Sequence, residues 1–218
     1  MENIKEIDNE NKAMIKIAES NPMEVNQINK SLLADPAPLG LAAFGFTTFL
    51  LSFVNAGILS GTAVSVVMPL AFSYGGFAQL LTGAFEMRRG NTFGFTAFTS
   101  YGSFWFFYGL LVFFSYLKII TISVHALGIA LILWGLFTLY MWANAMRLNL
   151  ALNMTFLFLW LAFMALGFGA YYSNTTLTRI GGIFGFITAF FAVYTSFAII
   201  SNSIKEKTLP LGSPWFKK

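Results

Sequence analysis

The sequence predicts an all-α membrane protein with six transmembrane helices, and three observations carry this prediction. Hydrophobic residues make up 57% of the chain and charged residues only 10%, whereas an ordinary soluble domain has about 25% charged residues. The mean hydropathy is +0.70. Beyond Asp35 the charges are so sparse that long uncharged runs separate them. Such a chain cannot cover its own surface with charge, so its solvent must be lipid.

The uncharged runs set the number of helices. After Asp35 they cover residues 36–85, 90–117, 119–146, 148–178 and 180–204, and a spanning helix needs about 20 apolar residues. The first run is long enough for two spans, because its middle has the Gly and Ser content of a turn. The predicted helices cover residues 37–58, 63–87, 94–117, 121–146, 148–172 and 178–203. Their short connections make each helix antiparallel to the one before it.

The two ends of the chain differ from this apolar body. Residues 1–34 are polar and lack the apolar segment of a signal peptide, so we expect a cytoplasmic arm before a transmembrane domain of residues 35–204. Residues 205–218 are expected to form a short basic cytoplasmic tail. Six bases lie near the membrane on the side that holds both ends, and only Lys118 and Arg179 on the other. The positive-inside rule therefore predicts cytoplasmic termini, in a multi-pass protein of the plasma membrane.

The residue types needed for catalysis or metal binding are scarce. The chain has no cysteine and a single histidine, His125, so we expect no metal site and no cofactor. Glu86 is the sole acid between residues 36 and 205, so neither a carboxylate pair nor a Ser-His-Asp triad can be assembled there. We therefore do not expect an enzyme.

Two polar residues stand out in the second predicted helix. An ionisable group inside a membrane is a candidate for function, so Glu86 could bind a proton; it could equally reach the interface or pair with Arg88 or Arg89. A mid-helix glutamine cannot easily bond its own backbone as Ser and Thr do. Gln79 should therefore find a partner on another helix or line a solute path.

Two segments have the composition of helix starts with exposed backbone donors. In Asp35–Gly40 the aspartate can cap the helix and the prolines suit its first turn. In Gly90–Gly94 either Asn91 or Thr92 can cap, just after two arginines. Both starts would present the positive end of a helix dipole to an anion, although capping alone also explains them.

A weak internal repeat joins the first and third predicted helices. Phe44–Phe49 reads FGFTTF and Phe93–Phe98 reads FGFTAF, so five of six positions agree at a separation of 49 residues. Such a repeat would give the odd-numbered helices equivalent places around a central axis.

Three motifs resemble those of the acetate uptake transporter family, the succinate-acetate permeases of bacteria, archaea and fungi. They are Asp35–Leu41 (DPAPLGL), where the family has Asn first, Tyr74–Gln79 (YGGFAQ) and Gly90–Trp105 (GNTFGFTAFTSYGSFW). Leu133–Thr138 (LWGLFT) adds further support, and the resemblance covers about residues 34–210. Asp caps a helix as well as Asn does, but its negative charge could hinder an anion.

The resemblance implies a six-helix protomer assembled as a ring-shaped homo-oligomer, typically a hexamer, with a separate path for small carboxylates through each protomer. It also implies a hydrophobic constriction of Phe44, Tyr101 and Leu159. This ring would strip water from the acetate methyl group while the tyrosine hydroxyl bonds the carboxylate. Further residues that the family match assigns to the path are Thr47, Gln79, Asn91, Thr92 and Ala192.

The sequence thus predicts passage of acetate and related small carboxylates, in some members including succinate. A channel and a proton-coupled permease both fit, with Glu86 as the candidate for proton coupling. Two alternatives stay open: a pore for neutral solutes such as water, glycerol or ammonia, and a non-transporting membrane sensor of the same fold. The expected partners are the carboxylate, the lipid bilayer and other copies of the chain, with no nucleic acid.

Overall fold

Six helices that are long and apolar enough to cross a membrane make up the part of the chain that the computed structural model describes, which comprises Lys12, residues 34–205 and residues 209–216. They are α1 (Ala37–Asn55), α2 (Gly61–Arg89), α3 (Thr92–Tyr116), α4 (Val124–Ala145), α5 (Leu150–Tyr171) and α6 (Thr175–Ile204). The prediction of an all-α body with six spans is confirmed, and each predicted helix end lies within three residues of the observed one. The predicted arm of residues 1–34 lies almost wholly outside the described residues.

Helices α1 and α2, α2 and α3, α4 and α5, and α5 and α6 pack on each other, and α6 closes the bundle against α1. Helices α3 and α4 meet through large side chains, as where Phe104 packs on Trp134. Ser196 near the end of α6 donates a hydrogen bond to the Pro38 carbonyl at 2.6 Å, while Gly182 near its start lies directly on the backbone of Ala56. A side chain at position 182 would overlap that backbone, which is why a glycine stands there. We call the end of the bundle where α1, α3 and α5 begin the inner end, and the opposite end the outer end.

The second helix is irregular, which the sequence analysis did not predict. Its successive segments are a 3₁₀ turn at Gly61–Ala63, an α-helical segment at Val64–Leu70, a π-helical segment at Ala71–Ala78 and an α-helical segment at Gln79–Arg89. Pro69 lies inside the second segment, where it lacks the N–H that a regular helix needs and its ring crowds the preceding turn. The Ser73 hydroxyl donates to the Pro69 carbonyl at 2.8 Å. Segments of π-helix are rare and recur at functional sites.

The two predicted caps have different outcomes. The N-cap residue of α1 is Pro36 and not the predicted Asp35. Proline suits this position because its fixed φ already matches a helix start. At α3 the prediction is confirmed, since Asn91 Oδ1 accepts a hydrogen bond from the Gly94 N–H at 3.1 Å.

The weak internal repeat does not correspond to equivalent positions in the structure. Phe44 lies seven residues into α1, whereas Phe93 is the second residue of α3. The ring that meets Phe44 is that of Tyr101, at 5.8 Å between centroids. Phe44 and Phe93 therefore do not occupy equivalent places, while the equivalence of the odd-numbered helices stays a prediction.

The described part of the predicted C-terminal tail packs against the inner end of the bundle. We call residues 209–216 the C-terminal strap. The side chain of Asn202 on α6 both donates to and accepts from the backbone of Leu209, at 2.9 Å each. The Leu211 carbonyl accepts from the Ala151 N–H at 3.0 Å, and the Trp215 N–H donates to the Met146 carbonyl at 3.0 Å. The strap is thereby tied to α5, to α6 and to the turn after α4.

Candidate solute path

A cavity of about 230 Å³ runs between α1, α3, α4, α5 and α6. Its α1 lining extends from Phe44 to Asn55, a helical rise of about 16 Å. The cavity therefore reaches from the middle of the bundle towards its outer end. Its volume is far above the ~10–15 Å³ that one water molecule needs.

The three residues of the predicted constriction lie together at the inner end of this cavity. Phe44, Tyr101 and Leu159 come from α1, α3 and α5, line the cavity and are 6%, 3% and 6% exposed. We call these three residues the collar. The Tyr101 ring also packs against those of Phe156 and Phe163, at 6.1 and 6.5 Å. The position of the collar is thus a feature of the fold, while its control of passage remains a prediction.

The hydroxyl of Tyr101 already has a partner in the protein. It lies 2.9 Å from Thr138 Oγ1, and the Thr138 hydroxyl donates its only hydrogen to the Trp134 carbonyl at 2.7 Å. Thr138 can therefore only accept, so Tyr101 must be the donor. In this arrangement the hydroxyl cannot also donate the predicted hydrogen bond to a carboxylate. The ring is the part of Tyr101 that lines the cavity.

The cavity wall is uncharged and mostly apolar. None of the described residues that line it is Asp, Glu, Lys, Arg or His. Two of its hydroxyls bond their own helix: Thr48 donates to the Phe44 carbonyl at 2.7 Å and Ser52 to the Thr48 carbonyl at 2.7 Å. A solute in this space therefore meets aromatic and aliphatic surfaces with few available donors.

Three of the other predicted path residues are fully buried and do not line the cavity. They are Thr47, Gln79 and Ala192, each 0% exposed. Gln79 Nε2 donates to the Gly75 carbonyl of its own helix at 2.6 Å, so the expectation that this glutamine must reach another helix is wrong. Gly75 belongs to the π-helical segment, where the regular hydrogen-bond ladder is interrupted. Gln79 Oε1 has no protein hydrogen-bond partner.

The remaining predicted residues lie at the inner end, around the start of α3. Asn91 and Thr92 are exposed there. Asn91 Nδ2 donates to Glu86 Oε2 at 2.8 Å, and Glu86 is only 1% exposed. The alternative in which Glu86 reaches the interface is therefore wrong, because the α2–α3 turn folds its carboxylate under the cap of α3.

Most of the aromatic wall around Tyr101 could not be predicted from the sequence. Phe104, Phe163 and Trp134 surround it, with Phe104 and Phe163 5.1 Å apart and Phe104 and Trp134 5.2 Å apart. Aromatic residues make up 18% of the chain, so no local signal separates those that face the cavity from those that face lipid.

Comparison with known proteins agrees with the motifs. A family model described as the GPR1/FUN34/yaaH family matches residues 17–210. Acetate permease A of Emericella nidulans is 40% identical over 186 residues, which are 78% of this chain and 62% of that protein. The succinate-acetate/proton symporter SatP of Escherichia coli is 36% identical over 182 residues, covering 83% of this chain and 96% of that one.

The fold also matches a solved structure. The structure titled "Structure of the bacterial acetate channel SatP" aligns with a TM-score of 0.80 at 36% identity, over 83% of this chain and 99% of the other. Fold, motifs and sequence identity therefore agree, and the family resemblance is confirmed. This chain, a multi-pass membrane protein, belongs to the GPR1/FUN34/yaaH family.

Proposed function

We propose that this protein carries acetate and related small carboxylates, succinate among them, across the plasma membrane. The observation that carries the proposal is the uncharged cavity that ends at the collar of Phe44, Tyr101 and Leu159. The names of two relatives and of the matching structure, which refer to acetate, support the choice of solute. No covalent bond changes in this function, so the protein is a transporter or channel and not an enzyme.

The collar selects by size and by dewetting. An apolar ring passes a small solute only after most of its water has left. Acetate has a methyl group that fits such a surface and a carboxylate that does not, so the aromatic wall favours small monocarboxylates over bulkier acids. Thr47, Gln79 and Ala192 are fully buried, and in the proposed function their small or polar side chains set the width available to the solute.

The inner mouth lies where α3 begins. Asn91 and Thr92 are exposed beside the exposed Arg88, and the N-terminus of a helix attracts anions. In the proposed function these groups meet the carboxylate at the cytoplasmic side, with both termini of the chain on that side. The protomers assemble as a ring-shaped homo-oligomer, a hexamer by resemblance to the family, and each protomer keeps its own path.

Channel and proton-coupled mechanisms make different demands on Glu86. In a proton-coupled permease this buried carboxylate, hydrogen-bonded to Asn91, is the group that binds the proton. In a channel it serves to hold the α2–α3 turn. Replacement of Glu86 by Gln keeps a hydrogen-bonding side chain and removes the proton site.

Purified protein in liposomes tests the function directly. With an acetate gradient and no proton gradient, a channel gives a current that reverses near the acetate equilibrium potential. A permease moves acetate and a proton together, so it gives no such current, and an imposed proton gradient alone drives acetate uptake; Glu86→Gln then abolishes that coupling. Absence of acetate flux under both conditions would refute the proposal, and would favour a non-transporting sensor of the same fold.

A pore for neutral solutes is the second candidate, and the uncharged cavity wall favours it. Glycerol, ammonia or water would cross such a wall without the cost of moving a charge through an apolar region. The same vesicles separate the two candidates. Rapid swelling in glycerol with no acetate-dependent current would assign the neutral pore.

A further inference from the structure

Asn153 is a fully buried amide of which only one half has a structural partner. Its Oδ1 accepts a hydrogen bond from Trp142 Nε1 at 2.7 Å, and this bond ties α5 to α4. Its Nδ2 has no hydrogen-bond partner in the protein, although Asn153 is 0% exposed. A buried donor left without an acceptor is costly and rare in native structures.

The orientation of this amide is fixed by Trp142. An indole N–H can only donate, so the oxygen of Asn153 must face Trp142 and the NH₂ group must face away from it. A flipped amide would set two donors against each other. Trp142 is itself held in place, because its ring stacks on that of Trp160 at 5.5 Å and meets Trp215 of the C-terminal strap at 6.4 Å.

The position of Asn153 relates it to the collar. It lies six residues before Leu159 on α5, which is about 9 Å nearer the inner end. Trp142 lies four residues beyond Thr138, the partner of Tyr101, about 6 Å in the same direction. Between Asn153 and the collar the ring of Phe156 packs against Tyr101 at 6.1 Å. The amide is therefore on the side of the collar opposite the cavity, still inside the bundle.

We propose that Asn153 forms a carboxylate-binding subsite on the inner side of the collar, with Nδ2 as the donor. This inference rests on the proposed function. A carboxylate that has passed the collar has lost water and needs a donor, and hydrogen bonds to charged acceptors are stronger than neutral ones. A neutral amide meets that need without trapping the anion as a fixed positive charge would, and conduction requires binding that is weak enough to release.

Two variants separate this role from the structural bond to Trp142. Asn153→Met removes both halves of the amide, whereas Trp142→Phe removes the structural hydrogen bond and keeps the donor. Both variants should lower thermal stability, since both lose the same bond, and Trp142→Phe should lower it at least as much because it also weakens the ring contacts with Trp160 and Trp215. Only Asn153→Met should raise the half-saturating acetate concentration in proteoliposomes, by about tenfold. Trp142→Phe should stay within about twofold of the wild type.

The outcomes are distinct. If both variants change acetate flux alike, Asn153 has only a structural role and the proposal is overturned. Asn153→Thr is a second variant for the case in which Asn153→Met does not fold, because its hydroxyl can bond the preceding turn; it should also raise the half-saturating concentration. The wild-type arm tests the proposed function separately: no acetate flux there overturns both proposals, whereas flux with unchanged saturation in the Asn153 variants overturns only the subsite.

Discussion

The hydroxyl and the ring of Tyr101 have different contacts. The hydroxyl donates to Thr138 on α4, and the ring forms part of the collar with Phe44. The family resemblance suggested that both parts would face the solute. Thr138 donates its only hydrogen to Trp134, so the Tyr101 hydroxyl must donate to Thr138 and has a structural role. We therefore expect the ring of Tyr101, and not its hydroxyl, to determine passage.

Substitutions of Tyr101 test that assignment. Tyr101→Phe keeps the ring and should retain acetate flux and the preference for acetate over lactate. Tyr101→Ala and Phe44→Ala should widen the path and raise lactate flux relative to acetate severalfold. Competitive uptake of the two labelled acids in proteoliposomes measures the ratio. A Tyr101→Phe protein that loses acetate flux would show that the hydroxyl contacts the solute, and unchanged ratios in both alanine variants would remove the two residues from the collar.

Gly75 packs against Trp105 of the cavity wall, where there is no room for a side chain. A Cβ there would lie 2.8 Å from Cγ of Trp105 and 2.9 Å from Cγ2 of Thr47. Gly75→Val should therefore lower the free energy of unfolding by about 3 kcal/mol, at the upper end of the usual cost of overpacking, and should press Trp105 into the cavity. Thermal unfolding in detergent and acetate flux measure both effects.

Gly61 provides the matched control, since a Cβ there meets nothing within 4 Å. Gly61→Val should leave stability within about 0.5 kcal/mol of the wild type. Equal effects of the two substitutions would mean that the contact between Gly75 and Trp105 is not tight in the folded protein.

At the scale of helices and connecting segments, the sequence predicted the length of each transmembrane helix but not the irregular geometry within a helix. Each span could be placed to within three residues because uncharged length is a local property. The π-helical segment Ala71–Ala78 could not, because its local cues, Pro69 and two adjacent glycines, also occur in kinked but otherwise regular membrane helices. The C-terminal strap was likewise expected only as a basic tail. Its binding depends on backbone groups of distant segments that no sequence pattern marks.

The strap should detach when Asn202 is replaced. Asn202→Leu removes both hydrogen bonds to Leu209, which together are worth about 2 kcal/mol. We expect faster hydrogen exchange at the amides of Ala151 and Trp215, which bond within this region. Ser203→Ala, at the next and exposed position, should leave exchange unchanged. Equal protection in the Asn202→Leu protein would show that the strap is held by its apolar contacts alone.

For the whole molecule, the orientation predicted from Lys and Arg can be tested because the chain has no cysteine. Ile119, between α3 and α4, is 64% exposed at the outer end, and Leu148, between α4 and α5, is 39% exposed at the inner end. A membrane-impermeant maleimide should label Ile119→Cys in intact cells and Leu148→Cys only after permeabilisation. The opposite pattern would reverse the orientation and place the cavity on the cytoplasmic side.

The sequence by itself determined the class of protein, the number and limits of the spans, and the family, because these follow from composition, uncharged length and contiguous motifs. Phe44, Tyr101 and Leu159 were predicted through the family resemblance alone. The tertiary structure decided which side chains share a space: the partner of Tyr101 is Thr138, 37 residues away, Glu86 is buried, and the Asn153 Nδ2 donor is buried on the inner side of the collar. The physical reason is that these helices are apolar on every side. Without an amphipathic pattern the sequence does not indicate which face meets a neighbour and which meets lipid.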